Sequence, residues 1–192
     1  LTNISFDHKP IEELIPLFRD YCQSADVAVV NADCRVSMDA TQGIERVTFG
    51  MDNPADFVAD TISATLHGMA FLLNGRQMTI PLPGRHNVAN TLAAVAACQR
   101  EGVSLDSAAD TMATFKGIAR RLEVLGTSGG VTVIDDFAHN PDKISAAVAA
   151  LKAFGGRLHV MFQPHGFGPT KMLRTGLVEA LAKGLDAEDH VW

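Results

Sequence analysis

The sequence predicts an α/β protein in two parts. Three observations carry that prediction. Beyond residue 121, strand-like and helix-like segments alternate, the order of an α/β layer with a parallel sheet. At 131–141 the run VTVIDDFAHNP passes from a β-branched strand into a polar cluster and then a proline. That proline opens the apolar helical run 142–154 where its missing N–H costs no hydrogen bond. Upstream, the basic, glycine-containing stretch at 116–121 breaks the pattern, so a boundary is predicted near 117, dividing residues 1–116 from 117–192.

The elements follow in order. LTNI at 1–4 reads as the end of a strand already in progress, followed by the polar turn SFDHKP. Apolar residues at 11, 14, 15, 17 and 18 mark one face of a helix over 11–22. Residues 27–30 form a compact buried strand that ends in Asn31, Ala32 and Asp33. Residues 34–82 alternate and carry turn pairs, and read as short strands, with 69–73 and 77–82 a hairpin across Asn74-Gly75. An alanine-rich helix spans 87–101, and a second helix, opened by Ser104 or Asp106, spans 105–115. In the second part, 122–125 and 131–134 pair as a hairpin over the loop 126–130. Helix 142–154, strand 157–162, the loop QPHGFGPT and helix 171–185 follow. DAEDHVW reads as the start of a further strand, so the chain reads as a piece of a longer one.

Composition narrows the function classes. A hydrophobic fraction of 47% with 20% charged residues is that of an ordinary globular protein. A net charge of −6 without a basic stripe argues against a nucleic-acid partner. Cys22, Cys34 and Cys98 lack the paired spacing of a zinc site and read as free thiols in a reducing cytoplasm. No apolar run reaches the length of a membrane span, so no membrane partner is expected.

Five places could carry chemistry. Asp7-His8 offers a carboxylate and an imidazole to a divalent cation, although such a pair standing alone is more often a surface turn than a ligand. Asn87 and Asn90, three apart near a helix N-terminus, share a face and present donors and acceptors that suit a purine edge; equally, Asn87 is an N-cap and Asn90 packs. Arg120 and Arg121 follow the predicted boundary, where a guanidinium can clamp a phosphate or simply sit in a solvated turn. The DDFAHNP loop places Asp135, Asp136 and His139 at a strand-to-helix junction. A helix cap at Asp136 or Asn140 uses one of these side chains and leaves the others unexplained. His165 closes FQPH at another strand end, on the same sheet edge as Asp136 if the two strands are neighbours.

Taken together, LTNISFDH, VVNADC, GRHNVANTLAAVAA, ARRLEVLG, VIDDFAHNP and FQPH stand in the order found in the Mur ligases, and the chain resembles that family over nearly its whole length. The resemblance implies the second half of a Mur-type central ATP-binding domain followed by a partial Rossmann-like C-terminal domain. It implies a cytoplasmic, ATP- and magnesium-dependent ligase of peptidoglycan precursor synthesis. Such an enzyme activates a carboxylate as an acyl phosphate, which an amine then attacks. By the same resemblance His8 binds magnesium, Asn87 and Asn90 contact adenine, and Arg121 reaches the nucleotide phosphates. Asp135 or Asp136 lies at the ATP site, and His139 and His165 face the incoming amino acid and the acyl phosphate.

FQPH and the DDFAH loop resemble the branch that adds L-alanine to UDP-N-acetylmuramate. The segment from RRLEVLG to VIDDFAHNP also resembles the branch that recycles murein tripeptide. Cyanophycin and folylpolyglutamate synthetases are more distant relatives. FQPHGFGPT departs from the alanine branch after its histidine, which leaves the amino acid open. No G-x-x-x-x-G-K-[ST] phosphate loop occurs in the chain, so these residues alone are expected to be inactive, and a non-catalytic nucleotide-binding module stays as an alternative.

Overall fold

The computed structural model describes residues 1–6, 9–65 and 68–192. The chain divides into two compact units, Leu1–Pro81 with Arg85–Phe115, and Leu82–Gly84 with Lys116–Trp192. Three sheets are present among the described residues, one of five strands and two of two strands.

The first unit begins with helix α1 (Ile11–Gln23), whose residues 11, 14, 15 and 18 are half-buried while Leu17 stays exposed. Strand β1 (Ala28–Asn31) follows, then a six-residue helix α2 (Arg35–Ala40). The alternation of residues 34–82 predicts only short strands, so α2 is a correction. It has no side-chain cap, and its hold on the fold is tertiary: Ser37 and Ala40 are buried, and the helix packs on α1 and β1. Strands β2 (Arg46–Gly50), β3 (Phe57–Thr65), β4 (Gly68–Leu73) and β5 (Arg76–Ile80) complete the sheet in sequence order. β1, β2 and β3 run parallel, whereas β3, β4 and β5 pair antiparallel.

The β4–β5 hairpin turns at Asn74-Gly75, both with positive φ, and Leu73 pairs with Arg76 across it. Helix α3 (Arg85–Arg100) packs on β1, β2, β3 and β4 and buries Val88, Leu92, Val95 and Ala96. Phe49, Phe71, Leu73 and Met78 of the sheet are each at most 1% exposed, while Val30, also fully buried, clusters with Cys22 and Ala28 beside Met38 and Ile44. Helix α4 (Leu105–Ala113) is capped by Ser104, whose hydroxyl accepts the Ser107 amide, and it packs on β5.

In the second unit β6 (Glu123–Ser128) and β7 (Val131–Asp135) form an antiparallel hairpin. Its turn is Gly129-Gly130 alone, both with positive φ, rather than the five-residue loop expected. Two adjacent glycines accept the left-handed turn, so the strands stay paired up to Ser128 and Val131, and Leu125 is taken up as a bulge. Helix α5 (Pro141–Lys152) and helix α6 (Phe167–Gly184) bury Ile144, Val148, Leu173, Leu177 and Ala180 against one another. α6 starts four residues before the expected 171, because Pro169 lies in the first turn, where no amide is needed. The strand expected over 157–162 is the two-residue β8 (His159–Val160), which pairs parallel with β9 (His190–Val191).

Candidate functional site

The loop between β7 and α5 is built by its own polar residues. One oxygen of the Asp136 carboxylate accepts the Leu122 amide and the other the Ala138 amide, each at 2.8 Å. Asn140 is 2% exposed and caps α5, its side-chain oxygen accepting the Lys143 amide at 2.9 Å, with Pro141 in the first turn. The cap is therefore Asn140, which leaves Asp135, Asp136 and His139 for other work. His139 lies with Nδ1 2.9 Å from the Phe137 carbonyl oxygen and Nε2 3.2 Å from the Lys143 ammonium.

Arg120 and Arg121 enter from the segment before β6. Arg120 has φ +59° and Leu122 φ +48°, an uncommon conformation for residues with side chains. The turn is held by the Arg120 amide on Glu123 Oε2 at 2.7 Å and by the Phe137 amide on the Arg120 carbonyl at 3.0 Å. Both guanidinium groups lie over the Phe137 ring, at 4.9 Å and 5.9 Å from its centroid. Arg120 also faces Asp135 at 3.4 Å. Among the described residues Arg121 has no carboxylate partner, and the residue is exposed. Arg121, Asp135, Asp136 and His139 thus come together around Phe137, with Lys143 as a fifth polar group.

His165 lies in the exposed segment between β8 and α6. β7 and β8 belong to separate two-stranded sheets, so the neighbouring-strand condition that would put His165 on the edge of Asp136 is not met. β7 pairs with β6, and β8 with β9.

The asparagines are in the first unit. Asn87 and Asn90 occupy the N-terminal turns of α3, half-buried and exposed, with the Asn90 amide 3.5 Å from the Asn87 side-chain oxygen. The preceding turn is anchored by Arg85 on Asp52 at 2.7 Å. Asp52 sits in a loop gathered by one carboxylate, since Asp33 accepts the amides of Met51, Asp52 and Asn53 at 2.7, 3.1 and 2.9 Å. Gly50 belongs to the same knot: a β-carbon there would lie 3.0 Å from an Asp33 oxygen. His8, the expected magnesium ligand, and its neighbour Asp7 lie outside the described residues. Among the described residues there is no group of three or more His, Cys, Asp or Glu side chains that could hold a metal ion.

Sequence reasoning missed Lys143, Phe137, and the Asp33 and Asp52–Arg85 contacts. The His139–Lys143 spacing of four was the available signal for the first. Nothing local announces that Phe137 lies under two arginines brought from a segment 16 residues away.

The first unit is thus a parallel-then-antiparallel sheet covered by a helix with paired asparagines, and the second carries an arginine–aspartate loop. Residues 1–98 match the family described as Mur ligase middle domain, and residues 120–190 match Mur ligase, glutamate ligase domain. The chain belongs to the Mur ligase family. A curated relative from Gloeobacter violaceus, named UDP-N-acetylmuramate–L-alanine ligase, is 33% identical over 90% of this chain and 40% of its own length. One of the same name from Dictyoglomus turgidum is 32% identical over 96% of this chain and 43% of its own. The chain therefore spans about two fifths of the relatives it matches.

The crystal structure of the UDP-N-acetylmuramate-alanine ligase MurC from Thermotoga maritima superposes with TM-score 0.71 at 22% identity, covering 96% of this chain and 47% of that one. MurF from Acinetobacter baumannii gives 0.83 at 23% identity, over 99% and 45%. These two likenesses establish the fold. A murein peptide ligase from Psychrobacter arcticus gives 0.60 at 27% identity, over 86% and 37%. No helix of the described residues is long and apolar enough to cross a membrane.

Proposed function

We propose that the chain is part of a cytoplasmic, ATP- and magnesium-dependent Mur ligase that joins L-alanine to the carboxylate of UDP-N-acetylmuramate, in peptidoglycan precursor synthesis. The observation that carries the substrate choice is the likeness, over nine tenths of the chain and more, to relatives named for that reaction. In this reading residues 1–116 are the C-terminal part of the central ATP-binding domain and 117–192 belong to the C-terminal domain. ATP supplies the phosphoryl group that activates the carboxylate, with His8 assigned to the magnesium ion by family resemblance.

The chain's own residues then divide the work. Asn87 and Asn90 offer donors and acceptors to the adenine edge. Arg121, stacked on Phe137, turns its planar donors toward phosphate oxygens, where charge builds as the phosphoryl group transfers. Asp136 fixes the loop through two backbone amides, and Asp135 and Arg120 form its charged outer edge toward the nucleotide. His139 and His165 serve the side of the incoming amine.

A second reading, a murein peptide recycling ligase, is favoured by the 27% identity with the Psychrobacter arcticus enzyme. The test is phosphate release by the ligase that carries this chain, given ATP, magnesium and UDP-N-acetylmuramate-type acceptors. Release with L-alanine supports the first reading, and release with murein tripeptide but not L-alanine supports the second. Release with neither, alongside retained ATP binding, leaves a nucleotide-binding module.

A further inference from the structure

We propose that Lys143 is a positioning residue that holds His139 as the neutral Nδ1–H tautomer; its importance for turnover rests on the reading that His139 serves the incoming amine. Which imidazole nitrogen carries the proton is set by what the other one meets. Nδ1 lies 2.9 Å from the Phe137 carbonyl oxygen, which only accepts, so Nδ1 carries the hydrogen. Nε2 lies 3.2 Å from the Lys143 ammonium, which only donates, so Nε2 presents its lone pair. A hydrogen on Nε2 would set two donors head to head.

Both partners are themselves fixed by backbone hydrogen bonds. The Phe137 carbonyl is located because the Phe137 amide donates to the Arg120 carbonyl at 3.0 Å. The Lys143 backbone is located because its amide donates to the capping Asn140 at 2.9 Å. The Phe137 ring lies edge-on to the imidazole, with centroids 5.2 Å apart, and limits its rotation. While Lys143 stays in place, the Nε2 lone pair is taken.

The test is a long-range hydrogen–nitrogen correlation spectrum of the imidazole rings in the nitrogen-15-labelled 192-residue chain, at mildly alkaline pH, with His139 assigned by His139→Gln. The native chain is expected to show Nδ1 protonated and Nε2 bare. Lys143→Met, which keeps an apolar stem and leaves the Phe137 carbonyl on Nδ1, should raise the share of the Nε2–H form measurably without making it dominant, and Lys143→Arg should keep it as in the native chain. A native His139 already protonated at Nε2 overturns the proposal. So does a Lys143→Met chain of native helix content whose tautomer is unchanged. In the ligase that carries this chain, Lys143→Met should raise KM for the amine substrate about tenfold while KM for ATP stays put. If the tautomer moves but the amine KM does not, the inference about Lys143 stands and the amine-side assignment of His139 falls.

Discussion

Asp136 holds Leu122 in a left-handed backbone conformation. Its carboxylate accepts the Leu122 amide at 2.8 Å while Leu122 sits at φ +48° with its side chain buried. The second oxygen takes the Ala138 amide, so one side chain ties the entry of β6 to the exit of β7. Asp135, its neighbour, turns the other way and meets Arg120 on the partly exposed side.

The two aspartates are therefore expected to separate in stability measurements. Asp136→Asn replaces one accepting oxygen by an NH₂ that faces a backbone N–H, and should destabilise the second unit by about 1–3 kcal/mol. Asp135→Asn removes only a partly exposed ion pair and should cost less than about 1 kcal/mol. Urea unfolding of the 192-residue chain, followed by circular dichroism and by the fluorescence of its one tryptophan, Trp192, reads both. Equal stabilities would refute the clasp role of Asp136.

Arg121→Ala should do the reverse. The guanidinium is exposed and stacks on Phe137, a contact worth about 0.5–1 kcal/mol, so folding should barely change. Turnover of the ligase carrying the chain should fall about 10²–10³-fold, the usual loss when one donor to developing charge is removed. Steady-state kinetics beside a melting curve decides it, and near-native turnover would remove Arg121 from the phosphate side.

Gly176 is expected to tolerate no side chain. A β-carbon there would lie 2.8 Å from the Pro141 ring, so α6 presses directly on the first turn of α5. Gly176→Ala should destabilise the second unit by about 1–3 kcal/mol through overpacking. Gly168→Ala, near the start of the same helix, meets nothing within 4 Å and should be close to neutral in the same unfolding experiment.

Acid should loosen the end of the second unit through Asp189. The Leu158 amide, then the Asp186 amide and the Lys152 ammonium, hold its carboxyl down at about 2, from an ordinary 3.8. A lowered carboxyl favours the folded state when ionised, so its contribution is full above its unfolded value and is lost as pH falls from about 4 toward 2. Asp189→Asn should flatten that part of the stability-versus-pH curve, and an unchanged acid limb would contradict the assignment.

The strands and helices with strong local signals were legible in the sequence: Asn74-Gly75 marked its hairpin, and the alanine-rich run marked α3. The DDFAHNP loop was legible as a site because it holds more polar side chains than one cap requires. α2 was not legible, because a six-residue helix without a side-chain cap owes its existence to the β1 and α1 surfaces beneath it. The start of α6 was hidden by Gly168 and Pro169, which resemble loop residues but are tolerated in a first helical turn. Arg120 and Phe137 were readable only as separate letters, since their contact depends on a hairpin that brings 120 beside 137.

Gly50 and Asp33 form a pair that must change together or stay. Any side chain at 50 meets the carboxylate at 33, and shortening residue 33 to make room releases the amides of 51, 52 and 53 at once. Those amides place Asp52, Asp52 holds Arg85, and Arg85 opens the helix that carries Asn87 and Asn90. A drift at either position would thus be felt two chain segments away, at the asparagines, before it was felt in the hydrophobic core. Sequence variation in this part of the chain is accordingly expected to be correlated: a glycine at 50 should accompany a carboxylate at 33, and loss of one should be seen only alongside a rebuilt 51–53 loop.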